Sequence, residues 1–351
     1  MTTPQTAAQI APSISNPISQ PIAPSIAPLI APLIAPLIAP LIAPDTAPLP
    51  RLHHVHCLDT RGLHRMAYWE WGEPDNPQVL VCVHGLTRQG RDFDTLAQDL
   101  CGAYRVICPD IVGRGRSDRL ADPAAYGIPT YVADMVTLLA RLDVAQVDWV
   151  GTSMGGLIGM GVAALAAADG GPGLVRRMVL NDVGPRIEPL AIARIGSYVG
   201  LPARWASVDE AADALAAISA GFGPHSREQW LALTRPQLVP APVQIGQDGQ
   251  DGQGPGWMSH YDPAIGVPLR AMTPQIAAFG EAALWAAYDR LRCQTLLLRG
   301  AESDLLSPET AQAMTERGPR ARLHEFAGVG HAPTLVQADQ RGVVRDFLLA
   351  A

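Results

Sequence analysis

The chain has 351 residues, 48% of them hydrophobic and 17% charged, with 26 basic against 33 acidic side chains for a net charge of −7. That length holds one large domain or two small ones, with ample apolar material for a buried core, and the charge argues against nucleic acid or an anionic membrane surface as a partner. Every basic residue is an arginine, which excludes Schiff-base chemistry, a P-loop lysine and a Ser–Lys dyad.

Residues 1–50 read as a low-complexity extension. From Pro21 to Pro44 the tetrapeptide Ile-Ala-Pro-Leu recurs almost without a break and without charge. Its length and apolarity invite a transmembrane reading, but each interior proline removes a helix hydrogen bond and costs about 3 kcal/mol. No basic residue precedes the apolar stretch, so a secretory signal fits poorly. An extended, polyproline-like, disordered segment is expected, with the folded unit beginning near Arg51.

From there short apolar runs alternate with longer amphipathic stretches, the pattern of a parallel sheet with crossover helices. Leu52–His56 and Arg65–Trp71 read as an opening pair of strands around Thr60–Gly62. Val79–Val83, Arg105–Cys108, Val147–Val150 and Arg177–Leu180 read as further strands. Phe93–Leu100, Thr130–Leu142 and the small-residue stretch Gly155 to about Ala168 read as helices. The rhythm stops at Gly184 and returns with the strands Thr295–Leu298 and Arg322–Phe326. The stretch between, residues 184–274, is predicted to be a mostly helical cap inserted after the sixth strand, over the carboxyl edge of the sheet where such folds bind ligands. The core is then 51–183 and 275–351, and Gly246–Gly256 is expected to be a loop. The cap's candidates for a pocket wall are Ile187, Tyr198, Trp205, Phe222 and Trp230.

The sharpest motif is Gly151-Thr152-Ser153-Met154-Gly155, between a strand and a helix. A tight strand-to-helix turn lifts a serine hydroxyl above the sheet, and small residues two positions either side let the backbone pass. Ser153 is therefore the predicted nucleophile. After the strand Val79–Val83 comes His84-Gly85-Leu86, and in an acyl-transfer enzyme the backbone N–H of Leu86 would join that of Met154 as an oxyanion hole. His84 itself reads as a brace for that loop. His331, in Gly328-Val329-Gly330-His331 beyond the last strand, is the predicted base. Asp304, after the strand Thr295–Leu298, is the predicted acid in the order Ser…Asp…His. Asp182 and Glu302 are its rivals. Arg88 and Arg91 beside the oxyanion loop either bind a substrate carboxylate or brace the loop through Asp92, Asp94 or Asp118. Arg88, Tyr198, Trp205 and Trp230 are the substrate-binding candidates.

His53, His54 and His56 read as edge-strand surface residues rather than metal ligands. The five cysteines, Cys57, Cys82, Cys101, Cys108 and Cys293, are irregularly spaced with no C-x-x-C pair. They read as reduced thiols of a cytoplasmic protein.

Residues from about 65 to 350 resemble the α/β-hydrolase superfamily, in its esterase and carbon–carbon-bond hydrolase branch. The motifs that carry this are His84-Gly85, the run Asp110 to Ser117, Gly151 to Gly156, and Gly330-His331. The resemblance implies a mostly parallel eight-stranded sheet with flanking helices, a helical cap, a Ser–Asp–His triad and no cofactor. Leu86 to Asp94 and Tyr261 to Ile265 are similar to bacterial hydrolases grouped with intracellular 3-hydroxybutyrate oligomer hydrolases. A carboxylic-ester hydrolase of small-molecule substrates is the leading expectation. A carbon–carbon-bond hydrolase of a vinylogous diketone and a non-catalytic ligand receptor are the alternatives.

Overall fold

A computed structural model describes residues 49–166, 173–242 and 256–350. The repeat tract of residues 1–48 and residues 246–255 of the expected loop lie outside the described residues. An antiparallel hairpin, β1 (Arg51–Asp59) and β2 (Gly62–Trp71), opens the sheet. β1 is longer at both ends, and β2 at its start, than the alternating pattern predicts. Then follow β3 (Val79–Val83), β4 (Arg105–Asp110), β5 (Val147–Thr152) and β6 (Val175–Asn181). After an insertion come β10 (Gln294–Gly300) and β11 (Arg322–Phe326). The eight strands lie in the order β1-β2-β4-β3-β5-β6-β10-β11. Only the pairings of β2 with β1 and with β4 are antiparallel, so the sheet is mostly parallel, as expected.

Every residue of β3 is buried, which is why that strand reads as an unbroken apolar run. Helices cover both faces of such a strand, leaving no side for water. On one face lie Ile128–Leu142 and Met154–Ala166, with Met135, Leu138, Ile158 and Met160 in the core. On the other lie Asp94–Leu100 and Ala338–Leu348, with Leu96, Leu100, Val344 and Leu348. Each such fully buried aliphatic side chain contributes about 1.5–3 kcal/mol.

The insertion after β6 carries the helices Pro189–Tyr198, Val208–Ile218, Arg227–Thr234 and Gly266–Arg270, and the helix Pro274–Arg290, with Tyr288 in the main core, leads back to β10. Their starts are chemically marked: Ser207 accepts from Glu210 N–H, and Ser226 with Gln229 forms a reciprocal capping box, each satisfying amide groups that a helix start leaves unpaired. A small antiparallel sheet, β7 (Arg204–Trp205), β9 (Gly256–Ser259) and β8 (Leu238–Ala241), joins these helices. Strands of two to four residues are too short to show an alternating pattern, and the sequence reading missed them. Among the described residues, no helix is long and apolar enough to cross a membrane.

Candidate active site

Strand register builds the site. Thr152 of β5 pairs with Asn181 of β6, so Ser153 and Asp182 leave the sheet side by side at the carboxyl ends of neighbouring strands. Both turn there in left-handed backbone conformations, with φ of 51° at Ser153 and 55° at Asp182. Such values cost a non-glycine residue energy and occur where surrounding structure enforces them. Here Ser153 N–H is held by Asn181 O at 2.9 Å, and Asp182 N–H by Leu298 O at 2.8 Å. The flanking glycines are required sterically. A Cβ on Gly155 would lie 2.0 Å from Val83 O, and one on Gly151 2.4 Å from Gly155 O.

His331 reaches this point from the loop after β11. Its Nε2 lies 3.0 Å from Ser153 Oγ and its Nδ1 2.7 Å from Asp182 Oδ2. An ionised carboxylate only accepts, so Nδ1–H donates to Asp182 and Nε2 is left to accept the serine O–H. Asn181 Nδ2 ties the histidine loop down by donating to Pro333 O at 2.8 Å. Asp182 is fully buried. It also accepts from Gly300 N–H at 2.9 Å and from Ser303 Oγ at 2.6 Å.

The carboxylate on His331 is therefore Asp182, and the expectation for Asp304 is corrected. Asp304 is exposed and accepts from Arg194, Nε to Oδ2 at 2.8 Å and Nη2 to Oδ1 at 3.0 Å. Its chain position satisfies the order Ser…Asp…His, but so does that of Asp182. At the end of β10 it is the hydroxyl of Ser303 that points inward, and Asp304 turns out to the surface. Glu302 is likewise exposed.

The loop expected to carry an oxyanion donor follows β3. A methyl placed on Gly85 would lie 3.8 Å from Ser153 Cβ, so the loop passes directly against Ser153. Gly85 O receives His84 Nδ1–H at 2.7 Å and Arg88 N–H at 3.1 Å. In a trans peptide the N–H points opposite to the C=O, so the Leu86 N–H is turned away from His84. Buried His84 also accepts from Ile111 N–H through Nε2 at 3.0 Å. Burial pushes its imidazole well below the usual histidine value, so it is a neutral brace.

A cavity of about 540 Å³ opens over Ser153 and His331, within the size range of small-molecule sites. Tyr198 and Trp205 from the insertion and Arg88 from the loop after β3 line it, as does Phe222. Trp230 is corrected: its ring stacks on Phe222 at 6.1 Å, against His225 at 5.1 Å, and does not line the cavity. Ile187 packs against the core instead. Arg88 forms a two-bond ion pair with Asp92, at 2.5 and 2.8 Å, and Arg91 pairs with Asp94. The bracing alternative for both arginines has direct contacts, although Arg88 still faces the cavity.

Of the three N-terminal histidines, His53 stacks on Tyr68 at 5.2 Å, and His54 and His56 are exposed. Cys57, His64 and Asp134 bring potential metal-binding atoms within 4.8 Å of one another. None of them lines the cavity, and His64 Nε2 already meets Asp134 Oδ2 at 2.9 Å, a bond that ties β2 to the helix Ile128–Leu142. All five cysteines are free.

Comparison with known proteins gives this geometry a context. Residues 80–346 match the model of the alpha/beta hydrolase family. The chain is 52% identical over 302 residues to a 3-hydroxybutyrate-oligomer hydrolase of Cupriavidus necator, covering 86% of this chain and 99% of that protein. It is 29% identical to a 2-hydroxymuconate semialdehyde hydrolase of a Pseudomonas species, covering 78% and 87% of the two chains. Among solved structures, an alpha/beta hydrolase from Novosphingobium aromaticivorans superposes with a TM-score of 0.69 at 33% identity, covering 86% and 99% of the two chains.

Proposed function

The chain belongs to the alpha/beta hydrolase family, and on that premise we propose that it hydrolyses esters of short hydroxyacid oligomers through an acyl-enzyme on Ser153. One observation carries the reading: the unbroken path from Asp182 through His331 to Ser153, at 2.7 and 3.0 Å, opening into the cavity. The 3-hydroxybutyrate-oligomer hydrolase, similar along nearly its whole length, supplies the substrate class.

In this mechanism Ser153 Oγ attacks the ester carbonyl as His331 Nε2 takes its proton. Asp182, fixed by Gly300 N–H and Ser303 O–H, holds the imidazole in the required tautomer and stabilises the imidazolium. The N–H groups of Leu86 and Met154 receive the negative charge of the tetrahedral intermediate, and losing one such donor costs about 2.7–4 kcal/mol. His331 then returns the proton to the departing hydroxyl of the oligomer. A water molecule, deprotonated by the same imidazole, attacks the acyl-enzyme, releasing the acid and restoring Ser153. The residues need no metal or cofactor for these steps. We further propose a cytoplasmic location, on the odd number and irregular spacing of the cysteines.

The test runs 3-hydroxybutyrate dimers and trimers, a p-nitrophenyl ester series and a vinylogous diketone in parallel. Turnover of the hydroxybutyrate oligomers above the simple esters is expected. Preferential cleavage of the diketone would transfer the chain to the carbon–carbon-bond hydrolases.

A further inference from the structure

Arg114 lies in the turn after β4, only 1% exposed, in the motif Gly113-Arg114-Gly115 that the mechanism leaves unused. Its guanidinium donates from Nε to Leu86 O at 2.8 Å and from Nη1 to Val112 O at 2.7 Å and Tyr131 Oη at 3.0 Å. Nη2 faces Met154 Sδ at 3.6 Å. None of these partners is an acid. Arg299, also buried, meets Glu325 at 2.6 Å. Arg114 instead lies near the rings of Tyr131 and Tyr126, at 4.9 and 5.9 Å. Nearby His84 and His260 are both pushed below the usual histidine value, chiefly by burial and in smaller part by the Arg114 charge.

Among the described residues the nearest acid on this side, Asp262, is reached only through Tyr126, whose hydroxyl donates to it at 2.7 Å. A buried cation with no acid in direct contact is destabilising in a low-dielectric interior and so calls for a reason. The reason is in what the fork touches. Leu86 and Met154 stand on separate segments of the chain, and one guanidinium contacts both. We propose that Arg114 is the positioning residue of the oxyanion hole. It fixes the Leu86 carbonyl and the Met154 side chain, so that the two N–H groups converge, and it sets a positive charge with no directly bonded acid behind the point where negative charge develops. At low dielectric such a charge acts over longer range than in water. The inference rests on the acyl-enzyme reading above.

The experiment compares Arg114→Met, which keeps the stem but removes the charge and the fork, with Arg114→Lys, which keeps the charge. Three quantities are read: kcat and KM for a p-nitrophenyl ester, and affinity for a trifluoromethyl ketone, whose adduct with Ser153 carries an oxyanion. Deleting an oxyanion donor outright costs about 10²–10³ in kcat, so losing its support should cost Arg114→Met about 10–100-fold. The ketone should weaken by the same factor, KM should stay near wild type, and Arg114→Lys should fall between. A merely structural role would lower stability without that parallel loss. A folded Arg114→Met with wild-type kcat, or with an altered KM and unchanged ketone affinity, overturns the proposal. Should Arg114→Met not fold, Tyr131→Phe removes one acceptor of the guanidinium and should lower kcat and ketone affinity together by about threefold; no change in either overturns the proposal equally. Ser153→Ala serves as the control, because activity surviving in it would sink the acyl-enzyme reading itself, whatever Arg114 does.

Discussion

Asp304 and Arg194, both on the cavity wall, form a two-bond ion pair, 2.8 and 3.0 Å across. The carboxylate in contact with His331 is Asp182, at 2.7 Å. Asp182→Asn should therefore lower kcat by about 10⁴, since an amide favours the wrong tautomer of the histidine. Asp304→Asn removes only an exposed ion pair, worth about 0–1 kcal/mol, and should leave kcat within a few fold of wild type. Steady-state kinetics of the two variants on one ester decide the matter, and a reversal of the two effects would restore Asp304 as the acid.

The contrast shows how far the sequence could be read. Ser153 was legible because its glycines are sterically dictated, and His331 because a glycine-flanked loop follows the last strand. Asp182 and Asp304 both stand at strand ends between Ser153 and His331, so chain order could not separate them. What separates them is the register of β5 on β6, a long-range pairing that no local pattern encodes. One clue was present: Asn181 and Asp182 end an apolar strand with two adjacent polar residues, and both are buried. In the insertion the mostly helical character was legible, whereas β7 to β9 were too short. Trp230 was misjudged because size and apolarity do not say which aromatic of a stack faces the cavity.

Pocket contacts follow from that stack. Trp205 and Phe222 line the cavity, whereas Trp230 lies behind Phe222. Trp205→Ala and Phe222→Ala should shift acyl-chain preference, each by about 1–3 kcal/mol of discrimination. Trp230→Ala should act more weakly and in the direction of Phe222→Ala. The check is kcat/KM across short and long p-nitrophenyl esters. A larger effect from Trp230→Ala than from Trp205→Ala would mean that the wall has been misassigned.

His260 gives the fold an acid sensitivity. Burial, aided by the charges of Arg88 and Arg114, lowers its imidazole from 6.5 to about 3. It accepts from Gly115 N–H at 2.6 Å through Nδ1 and donates to Gln237 Oε1 at 2.9 Å. The unfolded chain binds a proton near pH 6.5 that the folded chain refuses until about pH 3. This stability is thus complete above the unfolded value and is lost as pH falls between the two. Melting temperature should drop on acidification across that window, and His260→Gln should flatten the drop. An equally steep curve in the variant would place the acid lability elsewhere.

The most direct test of the central claim is covalent labelling of the nucleophile. Fluorophosphonate should add a single group per chain, peptide mapping should place it on Ser153, and hydrolysis of the 3-hydroxybutyrate trimer should stop in proportion to the label. Ser153→Ala should take no label and lose about 10⁴–10⁶ of turnover, because the three residues act as a unit. Label on another residue, or a Ser153→Ala protein that keeps more than about a tenth of wild-type turnover against that expected loss, would contradict the account.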